Sequence, residues 1–417
     1  MALKVLFLTH DYPFPVTYGG AVYTGNVIKE WSQLASRFDV ICFRKDSSKP
    51  ELWQEAGIGW HTFPVPPAPS IVRQVATFQP RIATLNTHAD ILRAAEKLLS
   101  QCDYDYVIFD YIAIGWALQP LRAFIERMGK KRPSLVYVSH NVETILRQQI
   151  AENYKGGLVK RAAAQFDAWR AGLLERDLVT KCDLVTVETA EDAADMHRLF
   201  GPHTSLQLLP GYDGEIVDDH AITADMPRNV VVLGGRLSTM KQIVLDAFLD
   251  QAAEEIVNSG IGLHVVGPAT DTYLASCRDR FPRVTFHGFV KDVRPLLSEM
   301  RVGVVADHVG GGFKHRILTY IFYRVPIIAV PEAMAGLPLT AGKDFLSVSS
   351  YAEIPAALEE AIDQVETLDR LQNNAFETCR AAFSWPRTVA TFDEVMREFA
   401  QKPDQPEAGA GSGPAPR

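Results

Sequence analysis

Short apolar runs alternate with segments of helical periodicity along most of the 417-residue chain, and this alternation constrains the fold more than any other feature. The first run is Lys4–Thr9; a loop ending in Gly19-Gly20 and a helical pattern over 21–34 follow it. Runs that are apolar at consecutive positions are typical of parallel strands covered by helices on both faces. The sequence therefore predicts an α/β protein with parallel sheets. Further strands are predicted at 38–43, 106–109, 135–139, 184–188 and 206–209, and in a second series at 230–233, 263–267, 284–286, 302–305 and 326–330.

The two series predict two doubly wound domains, as expected for a chain longer than one ordinary hydrophobic core. The N-terminal domain is assigned to 1–209 and the C-terminal domain to 229–384, with a linker at 210–228 that is rich in Asp, Gly and Pro. One more amphipathic helix follows, and 402–417 has almost no apolar bulk, so this tail is expected to be disordered. Loops at the carboxyl ends of the strands should face a shared cleft.

Residues 230–241, VVVLGGRLSTMK, combine an apolar strand, two glycines and two cations. The strand ends at Gly234-Gly235, and helical spacing resumes at Lys241, so the loop between them opens a helix. The free N–H groups of a helix N-terminus attract anions, and glycine lets a ligand approach the backbone closely. With Arg236 and Lys241, the loop is predicted to bind a diphosphate; the alternative is a surface turn with two solvated cations.

Composition argues against several classes of function. The net charge of −8 lacks the basic excess of nucleic-acid binders, so no nucleic-acid partner is expected. The five cysteines lie far apart without a CxxC pair, which predicts neither a disulfide framework nor a zinc site. No glycine loop has the GxGxxG spacing of a dinucleotide site. The apolar run after Lys4 is too short for a signal peptide, and no long apolar segment follows, so a cytoplasmic protein without a membrane span is expected.

Several motifs occur in the order typical of one enzyme family. They are Gly19-Gly20, Ser139-His140-Asn141-Val142-Glu143, Pro210-Gly211-Tyr212-Asp213, Gly235-Arg236-Leu237 followed by Lys241, and Val284-Thr285-Phe286-His287-Gly288. In this order they resemble the retaining GT-B glycosyltransferases of family 4, or group 1, over roughly residues 1–400. The resemblance implies a GT-B fold, in which two Rossmann-like doubly wound domains face a central cleft. It also implies that a final helix, 385–401, returns to the N-terminal domain.

The resemblance implies that the loop of the second domain binds the diphosphate of a nucleotide-sugar donor, which is a substrate, so that no cofactor is expected. Arg236 and Lys241 would bind this diphosphate beside Gly235, and a backbone N–H of Gly19 or Gly20 would approach it from the other domain. Fixed cations stabilise the charge that collects on the leaving diphosphate. A charge pair at about 4 Å contributes on the order of 4 kcal/mol at an effective dielectric constant of about 20, enough to replace a metal ion. No metal requirement is therefore expected.

His140 follows a predicted strand and is expected at the cleft. The resemblance implies that it contacts the transferred sugar. The residues alone also fit a histidine packed at a strand end, with Asn141 capping the next helix. Glu143, in the first turn of that helix, fits a favourable first-turn acid as well as a site residue.

The segment 307–330 departs from the family pattern. The resemblance places two glutamates eight residues apart in this segment, and counting back from Pro326 puts them at Gly311 and Thr319, so both are absent. The contacts that these glutamates make to the donor ribose and sugar in the family therefore have no counterpart at these two positions.

The glycine-rich loop of this segment nevertheless carries cations. Gly311 and Gly312 lead into a predicted helix with Lys314 and Arg316 in its first turn, and side chains two residues apart cannot share one helix face. Related GT-B subgroups favour Arg316 as the donor-binding residue, with Lys314 second; a loop with solvated charges is the alternative. Glu332, after the next strand, is a further candidate to hold donor hydroxyls.

These features predict a retaining, metal-independent glycosyltransferase that moves a sugar from a nucleotide-diphosphate sugar to a glycan or lipid-linked acceptor. By analogy with the family, it would act in bacterial polysaccharide or glycolipid synthesis. Two alternatives remain open: a degenerate GT-B protein that binds a nucleotide sugar or a partner without transfer, and a sugar-nucleotide 2-epimerase.

The acceptor is expected to meet the N-terminal domain. There, residues 155–181 mix Lys155, Lys160 and Arg161 with apolar residues at helical spacing. This pattern fits a peripheral membrane contact near a lipid-linked acceptor, or an amphipathic helix packed on the sheet.

Overall fold

The computed structural model describes residues 3–15, 19–45, 57–70, 74, 76–154, 157–307 and 313–401. The tail 402–417, predicted to be disordered, lies outside these residues. The strands of the N-terminal domain are β1 Lys4–Thr9, β2 Arg37–Arg44, β3 Ile58–Pro64, β4 Tyr106–Asp110, β5 Ser134–Val138, β6 Leu184–Val187 and β7 Ser205–Gln207. Those of the C-terminal domain are β8 Asn229–Leu233, β9 Gly262–Val266, β10 Thr285–Gly288, β11 Val302–Val305, β12 Ile327–Ala329 and β13 Leu346–Ser347.

Helices connect these strands. They are α1 Gly19–Ser32, α2 Arg81–Leu85, α3 Ala89–Gln101, α4 Leu118–Met128, α5 Glu143–Glu152, α6 Leu158–Lys181, α7 Ala190–Phe200, α8 Thr239–Phe248, α9 Glu254–Asn258, α10 Asp271–Arg280, α11 Arg294–Leu297, α12 Arg316–Phe322, α13 Ile354–Ala361, α14 Val365–Arg380 and α15 Trp385–Gln401. Short 3-10 segments lie at Ile112–Ala117, Pro331–Met334 and Tyr351–Glu353, and a π-helical turn at Leu249–Ala253 extends α8. None of the described helices combines the length and the apolarity needed to cross a bilayer.

Both sheets are parallel and doubly wound. The first has seven strands in the order β3-β2-β1-β4-β5-β6-β7, and the second has six in the order β10-β9-β8-β11-β12-β13. In each sheet the chain starts in the middle, at β1 or β8, and builds outwards in both directions. The predicted α/β class, with two Rossmann-like domains, is confirmed. Such sheets bind ligands where the strand order reverses, beyond the carboxyl ends of the strands.

The strand predictions hold to within two residues at either end, but two strands were missed. Strand β3 lies at the edge of the first sheet and is only half-buried along its length, so it lacks the continuous apolar run of its neighbours. Strand β13 contains two residues at the opposite edge of the second sheet. Both misses follow from burial on one side only, which weakens the apolar pattern.

Helix α15 completes the hydrophobic core on one face of the N-terminal sheet. Its apolar stripe includes Val389, Phe392 and Met396, which recur at helical spacing and are buried. The ring of Phe392 lies 4.6 Å from that of Trp31 on α1, and the Trp31 indole Nε1 donates a hydrogen bond of 3.2 Å to Asp393 Oδ1. The end of the chain therefore stabilises its beginning.

Replacement of Phe392 by alanine tests this packing. Because the ring is fully enclosed, Phe392→Ala should reduce the free energy of unfolding by about 3–5 kcal/mol, the usual cost of emptying a phenylalanine site. Chemical denaturation followed by tryptophan fluorescence measures the change. The exposed Glu394 on the same helix provides the control, since Glu394→Ala should change stability by about 0.5 kcal/mol or less. Equal stability of the two variants would contradict this role for α15.

Candidate active site

Three polar side chains meet at the carboxyl edge of the N-terminal sheet. Asp110 is the last residue of β4, and His140 and Glu188 follow β5 and β6. His140 Nε2 lies 2.8 Å from Asp110 Oδ1, and His140 Nδ1 lies 3.9 Å from Glu188 Oε1. The Thr24 hydroxyl of α1 donates a hydrogen bond of 2.8 Å to the other oxygen of Asp110. Because parallel strands end at one edge, residues distant in sequence form one cluster.

The two carboxylates hold His140 in its charged form. Burial lowers the pKa of His140, but Asp110, with smaller contributions from Glu188 and Glu143, more than offsets this effect, so the pKa lies above its ordinary value. Burial raises the pKa of Asp110, yet His140 and hydrogen bonds from Thr9 and Thr24 bring it below its ordinary value. The pair is therefore an imidazolium–carboxylate ion pair with only 9% and 1% of the two side chains exposed.

Aromatic rings fix the orientation of the His140 imidazole. The rings of Tyr23 and Tyr111 pack edge-on against it, with centroids 5.3 and 5.4 Å away. Tyr111 has a φ of 71°, which costs on the order of 1–3 kcal/mol for a residue other than glycine. Its hydroxyl donates a hydrogen bond of 2.9 Å to Glu143 Oε1. Strain at a residue beside the cluster is common at functional sites.

The alternative in which Asn141 caps helix α5 is wrong. Val142 occupies the N-cap position without a side-chain cap. The free N–H groups at this end are instead bound by Glu175 on α6, which accepts hydrogen bonds of 2.8 Å from Glu143 N and 2.7 Å from Thr144 N. A long-range carboxylate thus replaces the local cap, and burial raises its pKa to about 7.

Two chain segments cross at the carboxyl edge of the second sheet, and each has a glycine at the crossing. Gly234, at the end of β8, has a φ of 129°, and Gly267, at the end of β9, has a φ of 145°. A Cβ atom at Gly267 would lie 2.1 Å from the carbonyl oxygen of Gly234, and one at Gly234 would lie 2.8 Å from Arg236 Nη1 and 3.0 Å from Arg316 Cδ. Both positions require glycine, because φ is positive there and because a Cβ atom would collide with neighbouring atoms. Arg236 of this loop and Arg316 at the start of α12 therefore lie against the same glycine, Gly234.

Arg236, Lys241 and Arg316 form a cluster of cations beside this crossing. Burial and the charge of Arg236 lower the pKa of Arg316 to about 10. Desolvation and the same two arginines lower the pKa of Lys241, and burial lowers that of Arg236. Arg316 forms an ion pair with Asp307. In the described part of the chain, the buried Arg236 Nε has no hydrogen-bond partner. Mutually repelling cations with one paired carboxylate favour an anionic ligand.

Local structure explains why these cations lie together. Helix α8 begins at Thr239, two residues before the predicted start, and the Ser238 side chain accepts a hydrogen bond of 3.4 Å from Lys241 N. On α12, Tyr320 places its ring against Gly303, where a Cβ atom would lie 2.4 Å from it, and its hydroxyl accepts a hydrogen bond of 2.6 Å from Leu233 N. This bond ties α12 to the end of β8, so Arg316 faces the Arg236 loop.

The other predicted donor-binding residues lie at different places. Lys314 precedes α12, so the prediction that it lies in the first turn of that helix is wrong. Burial lowers the pKa of Lys314, and the charge of Asp192 in the N-terminal domain opposes this effect. Glu332 lies in a 3-10 segment after β12 and is exposed. Thr319 is half-buried on α12, one turn after Arg316. Gly311 and Gly312 lie outside the described residues.

The glycine loop of the first domain approaches the C-terminal domain. A Cβ atom at Gly19 would lie 3.4 Å from Cδ2 of His315, the residue between the two cations of the second domain. Gly235 packs beside Pro268, whose Cγ would lie 3.3 Å from an added Cβ, and Gly20 is half-buried at the start of α1. The two carboxyl edges therefore face each other, and α1 and α12 begin side by side.

Sequence reasoning did not identify Asp110, Glu188, His315 or the special role of Gly234. The available signal was weak: an acidic residue ends or follows an apolar run in YVIFD and VTVE, and a histidine stands between two cations in KHR. Within the described ranges, no group of three or more His, Cys, Asp and Glu side chains is arranged to hold a metal ion. All five cysteines are free.

Comparison with solved structures identifies the fold. The chain superimposes on sucrose-phosphate synthase from Thermosynechococcus elongatus with a TM-score of 0.68 and 15% identity, covering 95% of this chain and 99% of that one. It is similar to Anabaena HepE in complex with UDP and glucose (TM-score 0.61, 16% identity, 95% and 99% covered). It is also similar to WaaG, a glycosyltransferase involved in lipopolysaccharide biosynthesis (TM-score 0.58, 14% identity, 93% and 99% covered). The fold is GT-B, as the sequence resemblance implied.

Family models match both domains. Residues 18–211 match the model of the glycosyl transferase 4-like domain, and residues 228–367 match the model named glycosyl transferases group 1. Together the two matches cover about four fifths of the chain. No curated protein sequence shows a significant match. The chain belongs to the group 1 glycosyltransferases, and the protein is a glycosyltransferase.

The ion pair at the first sheet predicts a pH-dependent property. Asp110→Asn should lower the pKa of His140, because it removes the carboxylate that contributes most to holding the proton. Since the folded-state pKa of His140 is raised, its pairing stabilises the fold fully below the ordinary histidine pKa, and this stabilisation is lost as the pH rises through the raised value. The Asp110→Asn variant should therefore lose less stability than the wild-type protein as the pH rises through that range.

Two-dimensional NMR of the histidine ring signals measures the His140 pKa, and denaturation at several pH values measures the stability. Asp103→Asn is the matched control, because its side chain is 71% exposed and makes an ion pair with Lys130 at the surface. An unchanged His140 pKa in Asp110→Asn would show that the pair does not control the proton.

Proposed function

We propose that the protein transfers a sugar from a nucleotide-diphosphate sugar to a glycan or lipid-linked acceptor, with the donor diphosphate held by Arg236, Lys241 and Arg316. The observation that carries this proposal is the cluster of these three cations, in which Arg236 and Arg316 both lie against Gly234, both arginines lower the pKa of Lys241, and Arg316 forms an ion pair with Asp307. The N-terminus of α8 adds free N–H groups and the positive end of its dipole. A diphosphate satisfies all of these groups at once.

The chemistry follows from where charge develops. As the bond between the sugar and the diphosphate breaks, negative charge grows on the leaving group, and cations fixed in a partly dry loop stabilise this state more than the ground state. Burial lowers the pKa values of Lys241 and Arg316 most and repulsion between the cations lowers them further, and a bound diphosphate would relieve that repulsion. The reaction is proposed to proceed without a metal ion and with retention of the anomeric configuration, and the product's configuration by NMR tests the second point.

His140 is proposed to contact the transferred sugar. Asp110 holds its Nε2, so a sugar hydroxyl would be bound through Nδ1. The ion pair and the packed tyrosine rings orient the imidazole before substrate binds, and prior orientation lowers the entropic cost of reaching the transition state. HepE was solved with UDP-glucose, which supports a nucleotide-diphosphate sugar as donor here and makes UDP-glucose the first donor to assay.

Removal of the Lys241 ammonium tests the proposal. A panel of nucleotide sugars is first screened by thermal shift, since a ligand that binds only the folded state raises its stability. With the best donor, Lys241→Ala should lower turnover by roughly a hundredfold or more, the range for loss of one transition-state donor. Sugar transfer and slow donor hydrolysis are both measured, with and without EDTA.

Lys291→Ala is the matched control, because Lys291 is an exposed lysine elsewhere in the same domain and its loss changes the net charge equally. Wild-type turnover in Lys241→Ala would contradict the proposed clamp. Donor-dependent thermal stabilisation without transfer or hydrolysis by the wild-type protein would favour the binding-module alternative. Activity lost in EDTA and restored by a divalent cation would contradict metal independence.

Helix α6 supports a peripheral membrane contact as the place where a lipid-linked acceptor is met. Its first half exposes Leu158 (85%), Val159 (83%), Phe166 (41%) and Trp169 (51%), and Leu173 (40%) follows one turn later on the same face. These positions lie within about 100° of one another around the helix, and the rings of Phe166 and Trp169 stack with centroids 5.6 Å apart.

The second half of α6 is packed into the protein, as the other interpretation of this segment predicted. Ala171, Leu174, Leu178 and Val179 are buried there. The first half carries Lys160 and Arg161 beside its apolar face, a combination that suits an anionic lipid surface. Lys155, also part of the predicted basic segment, lies outside the described residues. We propose that this first half rests on the membrane.

Vesicle binding tests the membrane contact. Cosedimentation with vesicles containing anionic lipid should be strong for the wild-type protein and lost in Trp169→Glu combined with Lys160→Glu, since both the apolar and the electrostatic contributions are removed. Phe289→Glu is the control, because Phe289 is a 72% exposed aromatic residue of the other domain. Vesicle binding that is insensitive to the α6 changes would rule out this surface.

A further inference from the structure

The turn between β6 and α7, formed by Glu188 and Thr189, contacts the C-terminal domain. Glu188 Oε2 lies 3.6 Å from His315 Nε2. A Cβ atom at Gly336 would lie 2.6 Å from Thr189 Cγ2, so the Thr189 side chain packs closely against the Gly336 backbone. One turn into α7, Asp192 interacts with the charge of Lys314. This turn is therefore one side of an interdomain contact.

His315 is the residue of the C-terminal domain at the centre of this contact. It occupies the N-cap position of α12, immediately before Arg316 of the cation cluster. Its imidazole lies between Glu188 and the start of α1, where a Cβ atom at Gly19 would be 3.4 Å away, and its side chain is 19% exposed. His315 therefore links the start of α12 to Glu188 of the other domain.

Glu188 faces both domains with one carboxylate. Its Oε1 lies 3.9 Å from Nδ1 of His140, and its Oε2 faces His315. The side chain is 3% exposed, and a carboxylate so far removed from water is costly unless positive charge lies nearby. Positive charge comes from His140 within the same domain, and the His315 imidazole is a second polar neighbour across the cleft. Separation of the domains removes the second of these.

We propose that Glu188 is a positioning residue that lies between His315 and His140, one facing each of its oxygens, and thereby couples the approach of the two domains to the placement of His140 at the donor sugar. The proposal rests on the proposed function, since it assumes that the donor binds between these residues. The diphosphate cluster itself belongs to one domain and does not require the contact. Binding of the diphosphate and turnover should therefore respond differently to its loss.

Glu188→Gln keeps the shape of the side chain and removes its charge. Turnover should fall roughly 10- to 100-fold, the range for misplacement of reacting groups, while the affinity for UDP stays within about twofold. Glu191→Gln is the matched control, because Glu191 is exposed in the adjoining first turn of α7 and carries the same charge. His315→Gln should reproduce the loss, and the double variant should be no slower than either single variant, since both remove one contact.

Two readouts do not depend on turnover. Small-angle scattering should show a larger radius of gyration for Glu188→Gln than for Glu191→Gln, and NMR should show a lower His140 pKa. The charged and titratable groups facing His140 are His10, Tyr23, Asp110, Tyr111, Glu143 and Glu188. Those near His315 are Glu188, Lys314 and Arg316, with Asp192 beside Lys314.

These measurements separate the two proposals. A wild-type protein that fails with every donor overturns the proposed function, while scattering and NMR still test the role of Glu188. An unchanged radius of gyration and an unchanged His140 pKa in Glu188→Gln would overturn the positioning role. So would multiplicative losses of turnover in the double variant, because independent effects multiply. If the UDP affinity of Glu188→Gln fell by the same factor as its turnover, Glu188 would be assigned to donor binding instead.

Discussion

The concentration of like charge at the carboxyl edge of the second sheet governs the architecture around the cleft. Burial lowers the pKa values of Arg236 and Arg316, and Arg236 lowers those of Lys241 and Arg316 further. Such an arrangement persists because the rest of the domain imposes it: the crossing at Gly234 and Gly267 leaves no room for side chains that would separate the cations. An anionic ligand then relieves a repulsion that the fold maintains.

The first domain carries buried carboxylates at its carboxyl edge, where the second domain carries cations. There a buried carboxylate, Asp110, raises the pKa of His140, and a second carboxylate, Glu188, lies between His140 and His315 of the other domain. The cleft thus joins a cationic loop that suits a leaving diphosphate to a histidine ion pair that suits a sugar. In the proposed function, the donor and the acceptor meet between these two halves.

The sequence was most informative where local pattern and buried environment coincide. Strands covered on both faces, such as VVVL at the start of the second series, were located correctly because their apolar runs are continuous. The edge strand β3 was not located, because it is only half-buried and its apolar run is not continuous. The loop with Arg236 and Lys241 could be assigned to an anion because strand, glycine and cation follow one another within a few residues. Asn141 was misjudged as a cap because its competitor, Glu175, is on another helix.

Periodicity, glycine position and motif order were sufficient for two parallel α/β domains, for the GT-B resemblance and for the cationic loop, because each depends on neighbours along the chain. The ion pair of Asp110 with His140, and the contact of Glu188 with His315 across the cleft, depended on long-range packing. Residues at the ends of different strands become neighbours when the sheet forms and the two domains meet, and the charge of a buried side chain is then set by partners that no local pattern records.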